Sequence, residues 1–271
     1  MSGFIAALPM YDWPETREQT DTEWDRFRDF FGSAGIDAPQ RLVRRNGELP
    51  PVPGGIRDAA GTVIAPDPAT LPPDELDFHA VWLHPQLLLA QTCWGPMELG
   101  LRDHVVVVGQ PSYRGIAGGE GEFYSSPIVM RRDSEDAGVP EMAAPPPAGG
   151  EMLLPLDLMR GKRFAFNGLD SMSGIIALTR DLEAVGETLD LFSDRIVSGA
   201  HRASIAMVAD GRADVAAIDC RSWKLAQRHE PAAKDVVVVG WTAWRKGLPM
   251  ITSRHTPPEI VATMREILSP K

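Results

Sequence analysis

Two serines precede a predicted helix in the stretch NGLDSMSGIIAL, residues 167–178. The hydroxyls of Ser171 and Ser173 could donate to an anion, together with the unpaired amides of a helix N-terminus. One of these serines could equally be an N-cap that only stabilises the helix. A nucleophilic serine on a tight turn needs the pattern GxSxG, which DSMSG does not provide. The stretch therefore predicts an anion site or a capped helix, and a catalytic serine is the weakest of the three readings.

A histidine and an aspartate stand out in the stretch VSGAHRASIAMVADGRADVAAID. His201 comes at the start of a predicted helix, where its ring could donate to an anion. Asp219 ends an apolar strand, the position where open α/β sheets bind ligands, and could orient the histidine or accept from a ligand amine or hydroxyl. Each residue alone could instead be a local cap or a surface residue. Ser173, His201 and Asp219 also have the types of a nucleophile, a base and an orienting acid, but geometry and not residue type defines a triad.

A third group of polar side chains follows the apolar run in LLLAQTCWGP. Gln91, Thr92, Cys93 and Trp94 come at the end of this predicted strand, and we expect them to project into a cleft between two lobes. Cys93 could be a reactive thiol, although a small buried side chain is the commoner role of such a cysteine. The glycines of GIAGGEGE lack the strand-then-helix context of a dinucleotide loop, and we interpret them as a loop near a hinge.

The composition is that of a globular protein, with 44% hydrophobic and 24% charged residues among 271, enough for one large α/β domain or two lobes. A formal net charge of −10 makes a broad nucleic-acid surface unfavourable, but a local anion site needs only amides and helix ends. The two cysteines form no disulfide framework. The six histidines show no metal-binding spacing, so we expect neither a metal nor a cofactor.

The sequence contains no apolar run long enough to span a bilayer. The first residues, MSGFIAALPMYDWPE, lack the basic region of a signal peptide. Two compartments stay open on this evidence, the cytoplasm and, after removal of an export signal, the periplasm.

The elements that must position these residues alternate between strand and helix. The pattern predicts a first strand in GFIAALPMYD, a helix over 15–31 and a second strand in QRLVRR. The apolar runs LLLAQTC and HVVVVGQ are typical of a buried parallel sheet. The later runs predict further strands and helices, namely FYSSPIVMRR, RFAFN, ADVAAID, DVVVVGWT and LPMITS as strands and 221–228 and PPEIVATMREILS as helices. Two Pro/Gly-rich segments and two strand–helix series indicate two lobes.

In their order and spacing, these stretches resemble the phosphate/phosphonate-binding components of ABC importers, within the type 2 periplasmic binding protein superfamily. The resemblance runs from FYSSPIVMRRDS through NGLDSMSGIIAL to SGAHRASIAMVADGRADVAAID, and covers about residues 80–255 and, more loosely, the first strand. It implies two α/β lobes joined by two crossover strands that form a hinge, with the ligand in the cleft between the lobes. We place lobe 1 at residues 1–121 and 245–271, and lobe 2 at residues 122–244.

The resemblance also implies a set of ligand contacts. In relatives, a serine-rich turn holds the phosphonate oxygens through hydroxyls and amides. By position this turn corresponds to Ser171, Met172 and Ser173, with Met172 contributing only its backbone N–H. The family histidine, a donor to the same oxyanion, corresponds to His201, and an acidic or polar residue at a strand end corresponds to Asp219. The remaining ligand-binding candidates are Thr92, Cys93, Trp94, Tyr11 and Tyr124, although the sequence QTCW departs from the family's aromatic position.

The function implied is recognition of a small anion such as phosphate, a phosphonate or a phosphate ester, without a covalent step. An ABC-transporter permease is the implied partner and the periplasm the implied location. An enzyme or a cytoplasmic ligand sensor on the same fold is the alternative. For His201 we expect an ordinary pKa in the free protein, because an open cleft would leave its ring solvated, and a raised pKa when an anion binds.

Overall fold

The chain passes twice between two structural units, after Pro111 and after Gly247. The structure is a computed structural model that describes residues 3–132, 139–140 and 142–268. Unit 1 comprises Met1–Pro111 and Leu248–Lys271, and unit 2 comprises Ser112–Gly247.

The first of these boundaries lies earlier than the sequence pattern indicated, because the segment that follows Pro111 packs on unit 2. The ring of Tyr113 stacks on Tyr124 with centroids 5.2 Å apart. The amide of Tyr113 donates to the carbonyl of Gly121 at 2.7 Å. Residues 112–121 and 245–247 therefore belong to unit 2.

Unit 1 is built on a four-stranded sheet. Its strands and helices are β1 (Ile5–Ala7), β2 (Ile56–Arg57), β3 (Val63–Ala65), β4 (Leu87–Gln91), β5 (Val105–Gly109) and β14 (Met250–Ser253), with α1 (Arg17–Ser33), α2 (Phe78–Trp82), α3 (Trp94–Glu98) and α8 (Pro258–Leu268). The sheet has the order β1-β4-β14-β5, and β2 pairs with β3. Because β14 is antiparallel to both β4 and β5, the sheet is mixed and not parallel as predicted. Neighbouring residues of β1 contribute to two different hydrophobic cores, Ile5 to one and Ala6 to the other, as strand alternation requires.

Two predictions for the start of the chain need correction. The first strand ends at Ala7 because Pro9, which has no amide hydrogen, begins a 3₁₀ turn over Pro9–Tyr11. The segment QRLVRR forms no strand, since its contact with β1 is one bond from the amide of Val43 to the carbonyl of Ala6 at 2.8 Å.

Unit 2 is built on a five-stranded sheet. Its strands and helices are β6 (Gly119–Glu120), β7 (Phe123–Tyr124), β8 (Pro127–Arg131), β9 (Arg163–Phe166), β10 (Asp194–Val197), β11 (Val215–Ala217), β12 (Val236–Trp241) and β13 (Arg245–Lys246), with α4 (Leu156–Met159), α5 (Ala177–Ala184), α6 (His201–Ala209) and α7 (Cys220–His229). The main sheet has the order β10-β9-β11-β8-β12, and a small sheet has the order β13-β7-β6. The predicted strand FYSSPIVMRR is split into β7 and β8 at Ser125 and Ser126.

The helix that follows β9 begins with one π-helical turn, Met172–Ile176, and continues without a break as α5. We call residues 172–184 the serine helix. Its apolar side chains Ile175, Leu178 and Leu182 pack with Phe164 and Ile128 in the main core of unit 2. This packing sets the position of the helix N-terminus relative to the sheet.

An ion pair joins the serine helix to the segment after β12. Asp181 is 3% exposed, and its Oδ1 accepts from Nη2 of Arg245 at 2.5 Å. Its Oδ2 accepts from the amide of Ala243 at 2.7 Å. Removing the carboxylate would leave a guanidinium with only 20% side-chain exposure without its counter-ion.

We therefore expect Asp181→Ala to lower the free energy of unfolding by about 3 to 5 kcal/mol, the cost of breaking one side of a buried pair. Asp190→Ala is the matched control, because Asp190 is 86% exposed and lies 3.5 Å from Arg195. That change should cost less than about 1 kcal/mol. Urea unfolding of the two variants measures both values, and equal losses would contradict a stabilising role for the Asp181 pair.

Candidate functional site

Polar residues collect at one edge of the five-stranded sheet. The strands β9, β10 and β11 are parallel, and β8 is antiparallel to both β11 and β12. The ends of β9 to β12 and the start of β8 therefore lie at the same edge, where α/β sheets bind ligands. The residues next to these strand ends are Asn167, Ser198, Asp219, Thr242 and Ser126.

Three helix N-termini converge at this edge. His201 is the first residue of α6, and its Nε2 lies 2.8 Å from Oγ of Ser173 in the first turn of the serine helix. The amide of Asp219, the N-cap of α7, lies 3.4 Å from the same Nε2. Each helix N-terminus carries a partial positive charge. The Asp219 carboxylate that caps α7 compensates the charge there, so the serine helix and α6 are the ends that favour a bound anion.

The two serines of the turn have different roles. Oγ of Ser171 accepts from the amide of Gly174 at 3.0 Å, so Ser171 is the N-cap of the serine helix. Ser173 instead contacts His201. Gly174 is required here, because a Cβ at this position would clash with Oδ1 of Asn167. The first turn therefore contains both a cap and a hydroxyl that contacts the histidine, on separate residues.

The imidazole of His201 is neutral, contrary to the expectation of an ordinary pKa in the free protein. Burial lowers the pKa of His201 to about 4, because the half-buried ring is poorly solvated in its charged form. The amide hydrogen of Asp219 needs a lone pair, so we assign Nε2 as the acceptor and Nδ1 as the protonated nitrogen. The hydroxyl of Ser173 then donates to Nε2. Nδ1 is enclosed and has no hydrogen-bond partner among the described residues.

Asp219 contacts the histidine through its backbone and not through its carboxylate. Oδ1 of Asp219 accepts from the amides of Arg221 and Ser222 at 2.9 and 2.8 Å, which makes it the cap of α7. A catalytic triad needs an acid on Nδ1 of the histidine, and within the described part of the chain no group bonds that atom. Ser173, His201 and Asp219 are thus adjacent without forming a triad.

The other five predicted ligand contacts are distributed over both units. Tyr124 belongs to unit 2, where it is 1% exposed and its ring stacks on Tyr113. Tyr11 belongs to unit 1 and is buried in the 3₁₀ turn after β1. Thr92, Cys93 and Trp94 also belong to unit 1, at the end of β4 and the start of α3.

The group after β4 contains enclosed polar atoms. The amide of Thr92 donates to the carbonyl of Pro249 at 3.1 Å. Oε1 of Gln91, Oγ1 of Thr92 and Nε1 of Trp94 are enclosed and have no hydrogen-bond partner among the residues that the structure describes. Cys93 is partly exposed.

Some residues of the unit 2 edge were missed from the sequence. The amide of Ser126 donates to Oγ1 of Thr242 at 2.8 Å, across 116 residues of chain. The hydroxyls of Ser125 and Ser126 and Oδ1 of Asn167 are enclosed, with no partner in the described ranges. The sequence contains one indication of these residues. Ser125 and Ser126, directly before Pro127, interrupt an otherwise apolar predicted strand.

Among the described residues, no three His, Cys, Asp or Glu side chains are placed to hold a metal ion. In the same part of the chain, no helix is both long and apolar enough to cross a membrane.

Two α/β units with mixed sheets, and an anion-favouring edge in one of them, are features of a solute-binding protein of the periplasmic type. The chain belongs to the family of ABC-transporter periplasmic substrate-binding proteins for phosphonate, whose sequence model matches residues 97–269. The resemblance seen in the sequence is thereby confirmed. No curated protein matches the sequence.

Solved structures show the same fold. PhnD1 from Prochlorococcus marinus in complex with methylphosphonate is 14% identical with a TM-score of 0.61, and the alignment covers 98% of this chain and 84% of that one. A binding protein component of an ABC phosphonate transporter from Pseudomonas aeruginosa is 13% identical with a TM-score of 0.59, covering 98% and 74%. An arginine-bound protein from T. maritima is 11% identical with a TM-score of 0.50, covering 98% and 95%. These similarities confirm the predicted two-unit α/β fold class, although both main sheets are mixed where parallel sheets were predicted.

The protonation of His201 can be measured directly. Because its pKa in the folded protein, about 4, lies below the ordinary value of about 6.5, the ring should stay neutral from pH 8 to pH 5.5. The unfolded chain binds this proton first, so the stability contributed by neutral His201 is complete above about pH 6.5 and is lost as the pH falls towards 4.

Nitrogen-15 NMR of the histidine side chains tests both statements, with His201→Gln identifying the signal. We expect an Nδ1–H tautomer without titration down to about pH 5. A midpoint near pH 6.5, or protonation at Nε2, would contradict the assignment.

Proposed function

We propose that this protein binds a small oxyanion, namely a phosphonate, a phosphate ester or phosphate, as the solute-binding component of an ABC importer in the periplasm. Its membership of the phosphonate-binding family supports this proposal. The observation that carries it is the convergence of three helix N-termini on the Ser173–His201 pair.

The anion would be held by dipoles and hydrogen bonds and not by a formal cation. Arg202, the neighbour of His201, pairs with Glu230 at 2.6 Å. Arg245, which contacts the serine helix, pairs with Asp181. His201 itself is neutral. The donors that remain are amides in the first turns of the serine helix and α6 and the hydroxyls of Ser125 and Ser126, which have no partner among the described residues.

The free energies of the individual contacts are so small that several of these donors must act together. A helix N-terminus contributes about 0.3 to 1 kcal/mol to anion binding, and up to about 2 kcal/mol when partly buried. A hydrogen bond to a charged group contributes about 1.5 to 3 kcal/mol. Micromolar binding corresponds to about 8 kcal/mol, so no single contact suffices. The turn at Ser171, Met172 and Ser173 would hold the anion jointly with the first turn of α6.

Thr92 and Trp94 stay in the proposed set of ligand contacts. Their Oγ1 and Nε1 atoms are enclosed and lack partners within the described residues. A ligand group could supply the hydrogen bonds that such buried polar atoms usually make. Tyr11, Cys93 and Tyr124 stay in the set on the resemblance to the family alone.

Binding without turnover is favoured over catalysis. The 2.8 Å distance between Ser173 and His201 is suitable for a nucleophile and its base. However, the carboxylate of Asp219 caps α7, and Nδ1 of His201 has no acid partner among the described residues. The base would therefore lack the group that orients and stabilises its charged form.

Ser173→Ala tests the proposal with methylphosphonate as the probe. Loss of the hydrogen bond between Ser173 and the charged ligand should weaken binding about 10- to 150-fold. Ser198→Ala is the matched control, because the Ser198 hydroxyl lies at the same edge but bonds internally to Phe166, Ala200 and Ser204. The control should lose about 1 kcal/mol of unfolding free energy and keep its affinity.

Titration calorimetry and urea unfolding of the two variants measure affinity and stability separately. An unchanged affinity in Ser173→Ala would exclude this serine from the binding site. Undetectable binding of methylphosphonate, ethyl phosphate and inorganic phosphate by the unmodified protein would overturn the proposed function as a whole.

A further inference from the structure

The hydroxyl proton of Ser173 already has an acceptor inside the protein. Nε2 of His201 accepts from the amide of Asp219, so this nitrogen carries no hydrogen of its own. The contact of 2.8 Å between Ser173 Oγ and Nε2 must then be a bond donated by the serine. A hydroxyl has one hydrogen and two lone pairs. The hydroxyl of Ser171, 3.5 Å away, then donates to one of these lone pairs. Ser173 therefore offers its other lone pair, and not a hydrogen, to a ligand.

A fully ionised oxyanion presents only lone pairs. To bind at Ser173 it would have to take the serine hydrogen away from His201. Nε2 would then keep only the longer contact of 3.4 Å from the amide of Asp219. Leaving a buried acceptor without a full hydrogen bond is unfavourable. A ligand oxygen that carries a hydrogen avoids this cost, because it can donate to Ser173 while Ser173 continues to donate to His201.

We propose that the site selects the singly protonated form of its oxyanion, through a chain in which the ligand P–OH donates to Ser173 and Ser173 donates to His201. This inference rests on the proposed function and specifies the chemical form of its ligand. The remaining ligand oxygens would accept from amides in the first turns of the serine helix and of α6, whose N-cap Ala200 makes no side-chain hydrogen bond. In this arrangement His201 is a positioning residue that acts through Ser173, and not the direct donor to the oxyanion that the sequence resemblance implied.

The groups around Ser173 and His201 are consistent with a hydrogen bond donated by Ser173 to His201. Burial lowers the pKa of His201 to about 4, so near neutral pH the ring has a lone pair at Nε2 and no charge that would attract a dianion. Other titratable and charged groups surround the pair on the serine helix, α6, α7 and the loop after β9. They are Asp181 with Arg245, Arg202 with Glu230, Asp219 on the amides of α7, Cys220, Arg221 and Asp170.

Two probes of similar shape distinguish proton uptake by the ligand from proton uptake by the protein. Methylphosphonate loses its second proton within the accessible pH range and so changes from monoanion to dianion, whereas methanesulfonate stays an unprotonated monoanion. We expect the unmodified protein to prefer methylphosphonate over methanesulfonate by roughly 10- to 100-fold at pH 6. Above the second pKa of methylphosphonate its affinity should fall about tenfold for each pH unit, because binding then takes up one proton.

Calorimetry in buffers of different ionisation enthalpy, from about pH 5.5 to 9, measures affinity and proton uptake for both probes. The surrounding protein groups meet both probes, so titration of any of them on binding, including His201, would produce proton uptake with methanesulfonate as well. Ser173→Ala removes the acceptor for the P–OH group and should bring the preference between the two probes close to one. Ser198→Ala should retain the full preference.

Each possible result of these titrations either supports or contradicts the proposed selection of the protonated oxyanion. Proton uptake confined to methylphosphonate, with a preference lost in Ser173→Ala, supports selection of the protonated oxyanion. Binding of methylphosphonate without proton uptake, or with equal uptake for both probes, overturns this inference and leaves the proposed function in place. No binding of either probe or of inorganic phosphate overturns the proposed function itself.

Discussion

The hydrogen bond between Ser173 and His201 is the contact on which the candidate site depends. It joins the first turns of two helices whose residues are 28 positions apart in the chain. Nε2 of His201 also accepts from the amide of Asp219, which brings the start of a third helix to the same point. A single uncharged imidazole nitrogen thereby holds together three helix N-termini, each with a partial positive charge. The result is a surface suited to an anion, assembled without a formal cation.

The rest of unit 2 maintains this arrangement. The serine helix is held against the sheet by its apolar side chains, including Ile175, Leu178 and Leu182. Asp181 fixes the same helix to the segment after β12 through Arg245 and the amide of Ala243. The edge itself exists because four strands end and one begins there, so that every loop along it reaches the same place. Packing far from the site therefore determines the distances within it.

The family and the fold restrict the class of function that this protein can have, and the chemistry of the candidate site narrows the class of ligand. A relative that shares the fold was solved with methylphosphonate, yet it is only 14% identical to this chain. At that identity the similarity establishes a shared fold alone. The ligand contacts of this protein must therefore be inferred from its own geometry. That geometry has a capping serine, a serine bonded to a neutral histidine, and an aspartate engaged by amides. In the proposed mode of binding, direct charge pairing would contribute little, and the direction of each hydrogen bond would be the main source of selectivity.

Local patterns in the sequence were sufficient for most of the longer strands and helices, for the helix starts near Ser171, His201 and Asp219, and for the family resemblance, but they wrongly predicted a strand in QRLVRR. These features depend on hydrogen bonds and side-chain alternation within a few residues, and such information is present in the sequence itself. Which serine caps the helix and which contacts the histidine was decided by tertiary structure, because the partner of Ser173 lies on another helix. The depressed pKa of His201 likewise arises from burial, which belongs to the folded protein and not to any stretch of sequence. The same holds for the mixed sheet of unit 1 and for the bond from Ser126 to Thr242, since pairing between residues distant in the chain is determined only when the whole core packs.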